Sequence, residues 1–341
     1  MTGSIPVAAS STVERRRSNA QTVSIIIEWE NARLAEAERP MRMLASLAAQ
    51  LDELATISSR NVEIVLLFNP EAVDEEAIGT IIDHVRPRSH WPASFRLLPS
   101  GDLRYYEQKN YGVHSTTGDI VIFLDSDVVP EPDWLAKIHA AMEDPEVEVL
   151  CGSTYVDCTG FYDRAFALFW LFPLRTETDG LERADMFFAN NVAFRRRVIE
   201  ANPFPDLGTF RGQAGALSKV LADKGITIVR HQGARCAHPP PNGVRHFISR
   251  ALCEGHDAGI RAVERRGRRL GKLARRSLRT FRQRMGRATS RIAQGYGTVG
   301  LSPVGAAGAW SLALAYNSLY LTGQLLAAIR PELVPRHFPI R

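Results

Sequence analysis

The first 151 residues of the chain alternate between short, continuous apolar runs and longer stretches with helical periodicity. Val23–Ile27, Val62–Phe68 and Ile120–Leu124 are such runs, which are typical of strands buried on both faces of a sheet. The same pattern predicts further strands at 95–98 and 147–151, and helices at 38–55, 74–85, 103–114 and 132–142. Short strands that alternate with helices predict an α/β fold with a doubly wound, mostly parallel sheet.

Polar residues of chemical interest follow these strands, where ligands of such sheets bind. The run at 120–124 ends in Asp125-Ser126-Asp127, which places two carboxylates two residues apart at the end of a buried strand. Carboxylate oxygens suit Mg²⁺ or Mn²⁺, and these ions usually bind one or two carboxylates together with substrate phosphates. An Asp-x-Asp sequence also occurs in ordinary polar turns, so its context decides what it means.

That context is a series of segments in a particular order. They are Val23–Ile27, Ser46-Leu47-Ala48-Ala49-Gln50, Lys109-Asn110-Tyr111-Gly112, Thr117-Gly118-Asp119, Asp125-Ser126-Asp127 with Pro130 and Trp134, and Asn190-Asn191-Val192-Ala193-Phe194. The series resembles glycosyltransferase family 2, whose members have the GT-A (Rossmann-like) nucleotide-sugar fold. The resemblance covers about 22–240 and depends on the order of the segments more than on any one of them. The resemblance implies a glycosyltransferase, of the hexosyltransferase class, that uses Mn²⁺ or Mg²⁺ and a UDP, GDP or dTDP sugar.

The resemblance also implies roles for individual residues. Asp127 is expected to bind the metal that bridges the donor phosphates, and Asp125 to contact the ribose directly or through the metal shell. Lys109 is expected to lie near the nucleotide. His238 matches the position of a third metal ligand, although a turn histidine before a proline run is an equal alternative. The pair Asn190-Asn191 is expected to line the sugar or acceptor side, or else to cap a strand edge.

Two departures from the family pattern affect the nucleotide side. The first strand continues as Glu28-Trp29-Glu30-Asn31 where the family usually has Pro-x-Tyr/Phe-Asn. Trp29 either stacks on the base or packs in the core, and Glu28 and Glu30 are candidate nucleotide contacts. Asn69 follows the second strand where the family usually has an acidic base-binding residue, so the identity of the base is open.

A third departure affects the catalytic base. Inverting members of the family usually carry an acidic pair near the start of a late helix, where this chain has Arg211-Gly212-Gln213. The Gln213 amide accepts no proton at neutral pH. Asp185 or Asp206 serves instead, or the acceptor is already nucleophilic, as a phosphate would be. A subfamily with Arg-Gly-Gln at this place is a further alternative, in which Arg211 would pair with the donor diphosphate or with an anionic acceptor.

The charge of the chain is concentrated near its C-terminal end. Lys and Arg number 42 against 37 Asp and Glu, and the segment 261–291 contributes thirteen cations and one acid. Its apolar residues recur near helical spacing, and 304–329 contains no charged residue. These features predict a helical extension over 246–341 that contacts an anionic membrane through 261–329. Packing on the catalytic domain and formation of a homo-oligomer are the alternatives, and no nucleic acid is expected.

The remaining expectations concern organisation and location. We expect a disordered tail at 1–21, a GT-A domain at 22–245 with a nucleotide-binding half at 22–130 and an acceptor half at 131–245, and then the extension. The tail lacks the apolar core of a signal peptide, and the four cysteines form no C-x-x-C pair. These observations indicate a cytoplasmic protein at the inner face of the cell membrane.

Two functions are consistent with the sequence. The first is a transferase, inverting by family default, that moves a sugar to a saccharide or lipid-linked acceptor in polysaccharide or glycolipid assembly. The second is a catalytically inactive GT-A domain that acts as a binding or scaffold protein. The missing acidic pair favours the second, whereas the Asp125-Ser126-Asp127 sequence and Lys109 favour the first.

Overall fold

The computed structural model describes residues 22–36, 38–57, 62–85, 94–267 and 269–338, and the tail predicted at 1–21 lies outside them. The strands are β1 Val23–Glu28, β2 Val62–Phe68, β3 Ser94–Pro99, β4 Ile120–Asp125, β5 Val129–Pro130, β6 Val149–Val156, β7 Leu181–Ala184, β8 Asn191–Arg195 and β9 Ile228–His238. The helices are α1 Arg39–Ile57, α2 Glu75–Val85, α3 Tyr105–His114, α4 Trp134–Ala141, α5 Phe161–Phe169, α6 Arg196–Ala201, α7 Gln213–Asp223, α8 Gly243–Arg266, α9 Leu270–Gly295, α10 Pro303–Ile329 and α11 Leu333–His337.

The strands form one sheet in the order β3-β2-β1-β4-β8-β6-β9-β5, and β7 pairs with β9. The first four strands of this order are all parallel. Antiparallel pairing enters where β8 joins β4 and β6, and β6 and β9 are again parallel. The predicted α/β fold with a mostly parallel sheet and C-terminal helices is confirmed.

Apolar side chains cover both faces of the parallel strands, because successive residues of a strand point to opposite faces. Ile25 and Ile27 pack with Leu44 of α1 in one cluster, while Ile26 packs with Val65 and Val113 of α3 in another. Both layers exclude water from the sheet. Polar side chains are therefore concentrated at the carboxyl edge of the sheet, where the strands end.

The register of the sheet brings the polar strand ends together. In the pairing of β1 with β4, Glu28 lies directly opposite Asp125. The short β5 that follows Asp127 pairs with the end of β9, where Val129 lies opposite Ala237. Segments that are about a hundred residues apart in the chain thus meet at one edge.

The C-terminal helices pack on the sheet domain and on one another. α10 lies against α8, α9 and α5. Glycines allow the backbones of α8 and α10 to approach closely: a Cβ on Gly255 would lie 2.0 Å from the Tyr320 carbonyl oxygen, and one on Gly323 would lie 2.1 Å from that of Leu252. Tyr316 of α10 is fully buried beside aromatic residues of α5.

The two segments that suggested membrane contact have different structures. The basic segment 261–291 is divided between α8 and α9, because α8 ends at Gly267, whose φ of 71° lies in the left-handed region. α10 covers the uncharged segment and is long and apolar enough to cross a membrane, but 39% of its most apolar stretch is buried. A packed core helix has the same length and composition, so α10 alone does not establish a membrane span.

Candidate active site

The carboxylate of Asp125, at the end of β4, is held by three donors. Lys109 Nζ lies 2.7 Å from Oδ1, the Tyr105 hydroxyl donates to Oδ2 at 2.8 Å, and Asn31 Nδ2 lies 3.2 Å from Oδ2. Lys109 is fully buried and Asp125 is 3% exposed, so the ion pair is shielded from solvent. Burial and the nearby Asp125 carboxylate raise the pKa of Tyr105 well above its usual value, which keeps its hydroxyl a donor.

Glu28 is linked to Asp125 through Asn31. The Asn31 amide donates to Glu28 Oε1 at 2.5 Å as well as to Asp125. Burial and the Asp125 carboxylate raise the pKa of Glu28 well above its ordinary value, because two close carboxylates resist being charged together. Asn31 therefore positions both side chains at the edge where β1 and β4 end.

Asp127 presents a carboxylate oxygen that no neighbouring group satisfies. Among the described residues, its buried Oδ1 has no hydrogen-bond partner. Its Oδ2 lies 3.9 Å from Nε2 of His238 at the end of β9. Burial, followed by the charge of Asp125, raises the pKa of Asp127 to about 7.

The His238 ring is oriented as a ligand of a cation would be. Its Nδ1 lies 2.6 Å from the Pro239 carbonyl oxygen, which assigns the proton to Nδ1 and leaves the lone pair of Nε2 directed at Asp127. Burial and then Arg250 lower its pKa well below the ordinary value, so the ring is neutral. A neutral imidazole beside an unsatisfied carboxylate fits one divalent cation whose other ligands are phosphate oxygens or water.

Arg39 at the start of α1 joins the backbones on which these two side chains stand. Its Nε donates to the Asp127 carbonyl at 2.8 Å, and its Nη2 donates to the Ala237 carbonyl at 2.7 Å. The side chain is 4% exposed and also approaches Asp157. Arg39 thereby fixes the separation of Asp127 and His238 without entering the cleft.

A cavity of about 330 Å³ extends from Asp125 and Asp127 towards the C-terminal helices. We name the side formed by Asn31, Tyr105, Asp125 and Asp127 the carboxylate wall. A second group of lining residues, which we name the arginine wall, consists of Arg211, Arg250, Arg261 and Arg284. These four come from the loop before α7, from α8 and from α9, so the extension forms part of the cavity.

The arginine wall is held by a mixture of stacking and hydrogen bonds. Arg250 donates to Glu254 at 2.9 Å, and the Arg284 Nε donates to Asn317 of α10 at 2.6 Å. The Arg284 guanidinium lies 4.0 Å from the centre of the Tyr320 ring. These contacts hold the cationic groups against the cavity surface.

Comparison with known proteins gives a family match for the central part of the chain. The model of glycosyl transferase family 2 matches residues 40–201. This region is a family 2 glycosyltransferase domain. The sequence-based prediction of the family and of a glycosyltransferase is thereby confirmed.

Two solved structures are similar to this glycosyltransferase. Mannosyltransferase PcManGT from Pyrobaculum calidifontis, in complex with GDP-Man and Mn²⁺, is 17% identical with a TM-score of 0.48, over 95% of this chain and 89% of that one. GalNAc-T7 with UDP, GalNAc and Mn²⁺ is 16% identical with a TM-score of 0.47, over 66% of this chain and 45% of that one. Neither similarity is close enough to bear on substrate. No curated protein matches the chain in sequence.

The residues predicted to contact the nucleotide lie at the carboxyl edge of the sheet. Glu30 Oε1 accepts from the backbone N–H of Asn69 at 3.0 Å, so these two candidates are adjacent. Trp29 is 3% exposed and packs in the core between α1 and the sheet, which corresponds to the second of its two interpretations. Its ring is not presented to a base.

The two predicted asparagines have different surroundings. Asn190 lines the cavity and accepts from the Thr154 hydroxyl at 3.2 Å. Asn191 is fully buried on β8, where its Oδ1 accepts from the Trp134 indole at 2.8 Å and its Nδ2 donates to the Ala234 carbonyl at 3.2 Å. Asn191 thus joins β8 to α4 and β9, and Asn190 is the one that faces the cavity.

The two predicted general bases, and the glutamine that occupies the usual position of the base, lie in three different places. Asp185 is exposed after β7. Asp206 is exposed and accepts from Arg104 at 2.9 Å, and the hydrogen bond from the Gly208 N–H, followed by this pairing, lowers its pKa. Gln213 is buried, with its Nε2 donating to the Thr209 carbonyl at 2.6 Å. The identity of a base therefore stays a prediction.

Several residues that build the site were not identified from the sequence. Asn31 and Tyr105 lie beside motifs that were considered, and Asn31 occupies the position of the family's usual asparagine. Sequence periodicity gave no signal for the others, because their partners are distant in the chain. These others are Arg39, Arg250, Glu254, Arg261 and Arg284.

Proposed function

We propose that the protein transfers a hexosyl group from a metal-bound nucleoside diphosphate sugar to an acceptor in the cavity, with inversion at the anomeric carbon. The observation that carries the proposal is the Asp127 carboxylate, whose buried Oδ1 is unsatisfied and whose Oδ2 faces the neutral His238 ring. An unsatisfied buried carboxylate is costly unless a ligand completes it.

Asp127 and His238 would hold Mn²⁺ or Mg²⁺, with diphosphate oxygens completing its coordination. The bound ion would stabilise the negative charge that develops on the diphosphate leaving group. Lys109 neutralises Asp125 and keeps it in place, so that Asp125 is available to the ribose side of the donor. Glu28, Glu30 and Asn69 are the candidates for nucleotide recognition at the ends of β1 and β2.

The setting we propose is polysaccharide or glycolipid assembly at the cytoplasmic face of the cell membrane. α9 contains no acidic residue, and its exposed cations form a face that would attract anionic lipid. Those cations are Lys272, Arg275, Arg276, Arg279, Arg282 and Arg287. Co-sedimentation with phosphatidylglycerol vesicles that weakens as NaCl is raised, and is absent with phosphatidylcholine, would support this location.

Calorimetric titration with UDP, GDP, dTDP and CDP, each with and without Mn²⁺, tests the donor site. One nucleotide should bind only with the metal, and Asp127→Asn should weaken that binding by at least about tenfold, because a direct ligand is lost. Asp223→Asn, which changes an exposed carboxylate at the end of α7, serves as the matched control. Failure of every nucleotide to bind folded protein would contradict the proposal, as would equal affinity in Asp127→Asn.

A further inference from the structure

The arginine wall includes Arg211, which stands beside the position where the family usually has the carboxylate that acts as general base. Arg211 and Gln213 stand there, and the Gln213 amide is directed at the Thr209 carbonyl. The Arg211 Nε is buried and has no partner among the described residues. Arg211 therefore offers donors to an anion, and neither Arg211 nor Gln213 is able to take a proton from a hydroxyl.

Three of the four wall arginines lack a direct ion pair with a carboxylate among the described residues. Within the described ranges, Arg211, Arg261 and Arg284 form no ion pair, whereas Arg250 is paired with Glu254. Arg261 donates instead to the Thr209 hydroxyl and to the Arg211 carbonyl. Several guanidinium groups that line one cavity and form no direct ion pair can bind phosphate or carboxylate oxygens.

Glu254 does not replace the missing base. It lines the same cavity, but Arg250 donates to it at 2.9 Å. Although burial raises the pKa of Glu254, Arg250 and Arg284 more than offset that effect and lower it. A carboxylate stabilised as an anion in this way is a weak proton acceptor.

We propose that the acceptor is a phosphomonoester, and that one of its phosphate oxygens is the nucleophile; this inference rests on the proposed function. The phosphate oxygen forms a bond to the anomeric carbon while the bond from that carbon to the nucleotide β-phosphate oxygen breaks. The products are a glycosyl phosphodiester and the nucleoside diphosphate. An ionised phosphate carries no proton to remove, so the reaction requires no general base. The arginine wall holds the acceptor phosphate.

The phosphate has two chemical sources, a lipid phosphate or a soluble sugar phosphate. The cavity also has apolar lining, including Trp170 and Phe172, and its residues Leu171 and Met186 are partly exposed, at 41% and 43%. An apolar chain attached to the phosphate would contact this lining. A soluble sugar phosphate would use the arginines alone, so the two sources differ in what the apolar residues contribute.

Calorimetric titration of the full chain with geranyl phosphate, geraniol and glucose 1-phosphate tests the proposal, with and without nucleotide and Mn²⁺. Geranyl phosphate should bind at least about tenfold more tightly than geraniol, since hydrogen bonds to a charged group are strong. Arg211→Gln and Arg284→Gln should each weaken its binding about tenfold, with Mn²⁺–nucleotide affinity unchanged. Lys219→Gln, at an exposed position of α7, should change neither affinity.

The outcomes distinguish a lipid phosphate from a soluble sugar phosphate, and they also test whether the site binds phosphate at all. Binding of geranyl phosphate alone assigns a lipid acceptor, and similar binding of both phosphates assigns recognition of the phosphate group. Retained binding in Arg284→Lys would show that charge, not packing on Tyr320, is what the site uses. Equal binding of geraniol and geranyl phosphate, or no phosphate binding by protein that still binds nucleotide, would overturn the proposal. Loss of nucleotide binding alone would instead contradict the donor site.

Discussion

The charged side chains of the two cavity walls differ in whether they form ion pairs within the protein. On the carboxylate wall, Asp125 is paired with Lys109 and held by Tyr105 and Asn31, and all four residues belong to the first 130 of the chain. On the arginine wall, Arg211, Arg261 and Arg284 come from three separate elements and have no carboxylate partner among the described residues. The charge of Asp125 is thus paired within the sheet domain, whereas those three arginines have no direct ion-pair partner among the described residues.

This difference shows that the C-terminal helices form part of the candidate site. Arg284 of α9 reaches the cavity only because Asn317 and Tyr320 of α10 hold it there. Their packing on α5 and α8 buries an aromatic cluster that includes Phe166, Trp170 and Tyr316. The extension therefore supplies both core and binding surface.

The largest expected effect is that of ending the chain at Arg266. This truncation removes α9 and α10 and exposes Phe166, Trp170 and Ala251, which are now buried beneath Tyr316. Loss of one large aromatic core side chain costs about 3–5 kcal/mol, and here a whole layer is lost. We expect an aggregated or unfolded product in size-exclusion chromatography and circular dichroism. A soluble fragment that still binds nucleotide would show that the two walls are separate units.

Lys109→Met tests the buried ion pair between Lys109 and Asp125 on the carboxylate wall. The substitution leaves Asp125 charged and buried without its ion-pair partner, and such a change costs about 3–5 kcal/mol. The free energy of unfolding in urea should fall by about that amount. Lys219→Met, at an exposed position of α7, is the matched control and should change little. A small effect at both positions would mean that Asp125 is neutral or solvated.

Gly212→Ala tests the geometry of the arginine wall. Gly212 has a φ of 116°, and a Cβ there would lie 2.7 Å from Nη1 of Arg261. Backbone strain and this clash should together lower the free energy of unfolding by about 1–3 kcal/mol and displace Arg261. Gly215→Ala, in the same helix with open space around its Cβ position, should be neutral or slightly stabilising. Equal stability of the two variants in urea would mean that the loop adapts.

The smallest effect is expected away from both walls. Glu131 accepts from Arg175 at 2.6 Å and from Arg235 at 2.8 Å, and although burial opposes the change, these contacts lower its pKa to about 2. The stabilisation is present above the usual pKa of a glutamate and is lost as the pH falls through about 2. Glu131→Gln should cost about 1 kcal/mol at pH 7, with the difference from wild type shrinking below about pH 4.5. Thermal melts at several pH values measure it, and a pH-independent difference would contradict the assignment.

The sequence predicted those parts of the molecule that depend on local pattern. Continuous apolar runs located β1, β2 and β4, because burial on both faces requires them. The Asp125-Ser126-Asp127 sequence located the carboxylate wall, because residues after a buried strand must lie at the edge of the sheet.

The parts that were not predicted depend on contacts between distant segments. Trp29 packs in the core because the 3₁₀ turn that follows β1 directs it towards α1. Arg250 and Arg284 lie in helices whose sequences resemble ordinary basic amphipathic helices. These cations reach the cavity only because α8 and α9 pack against the sheet domain. The periodicity of either helix does not indicate that packing.

The glycines between α8 and α10 have a consequence for the order in which the protein matures on the ribosome. A Cβ at Gly255 or Gly323 would collide with the backbone of the opposite helix, so each glycine is needed for the close packing of α8 and α10. Since α10 begins 37 residues after α8 ends, the sheet domain emerges and can begin to fold while Arg284 still lacks its support from Asn317 and Tyr320. A nascent chain would therefore acquire its donor side first and its acceptor side last.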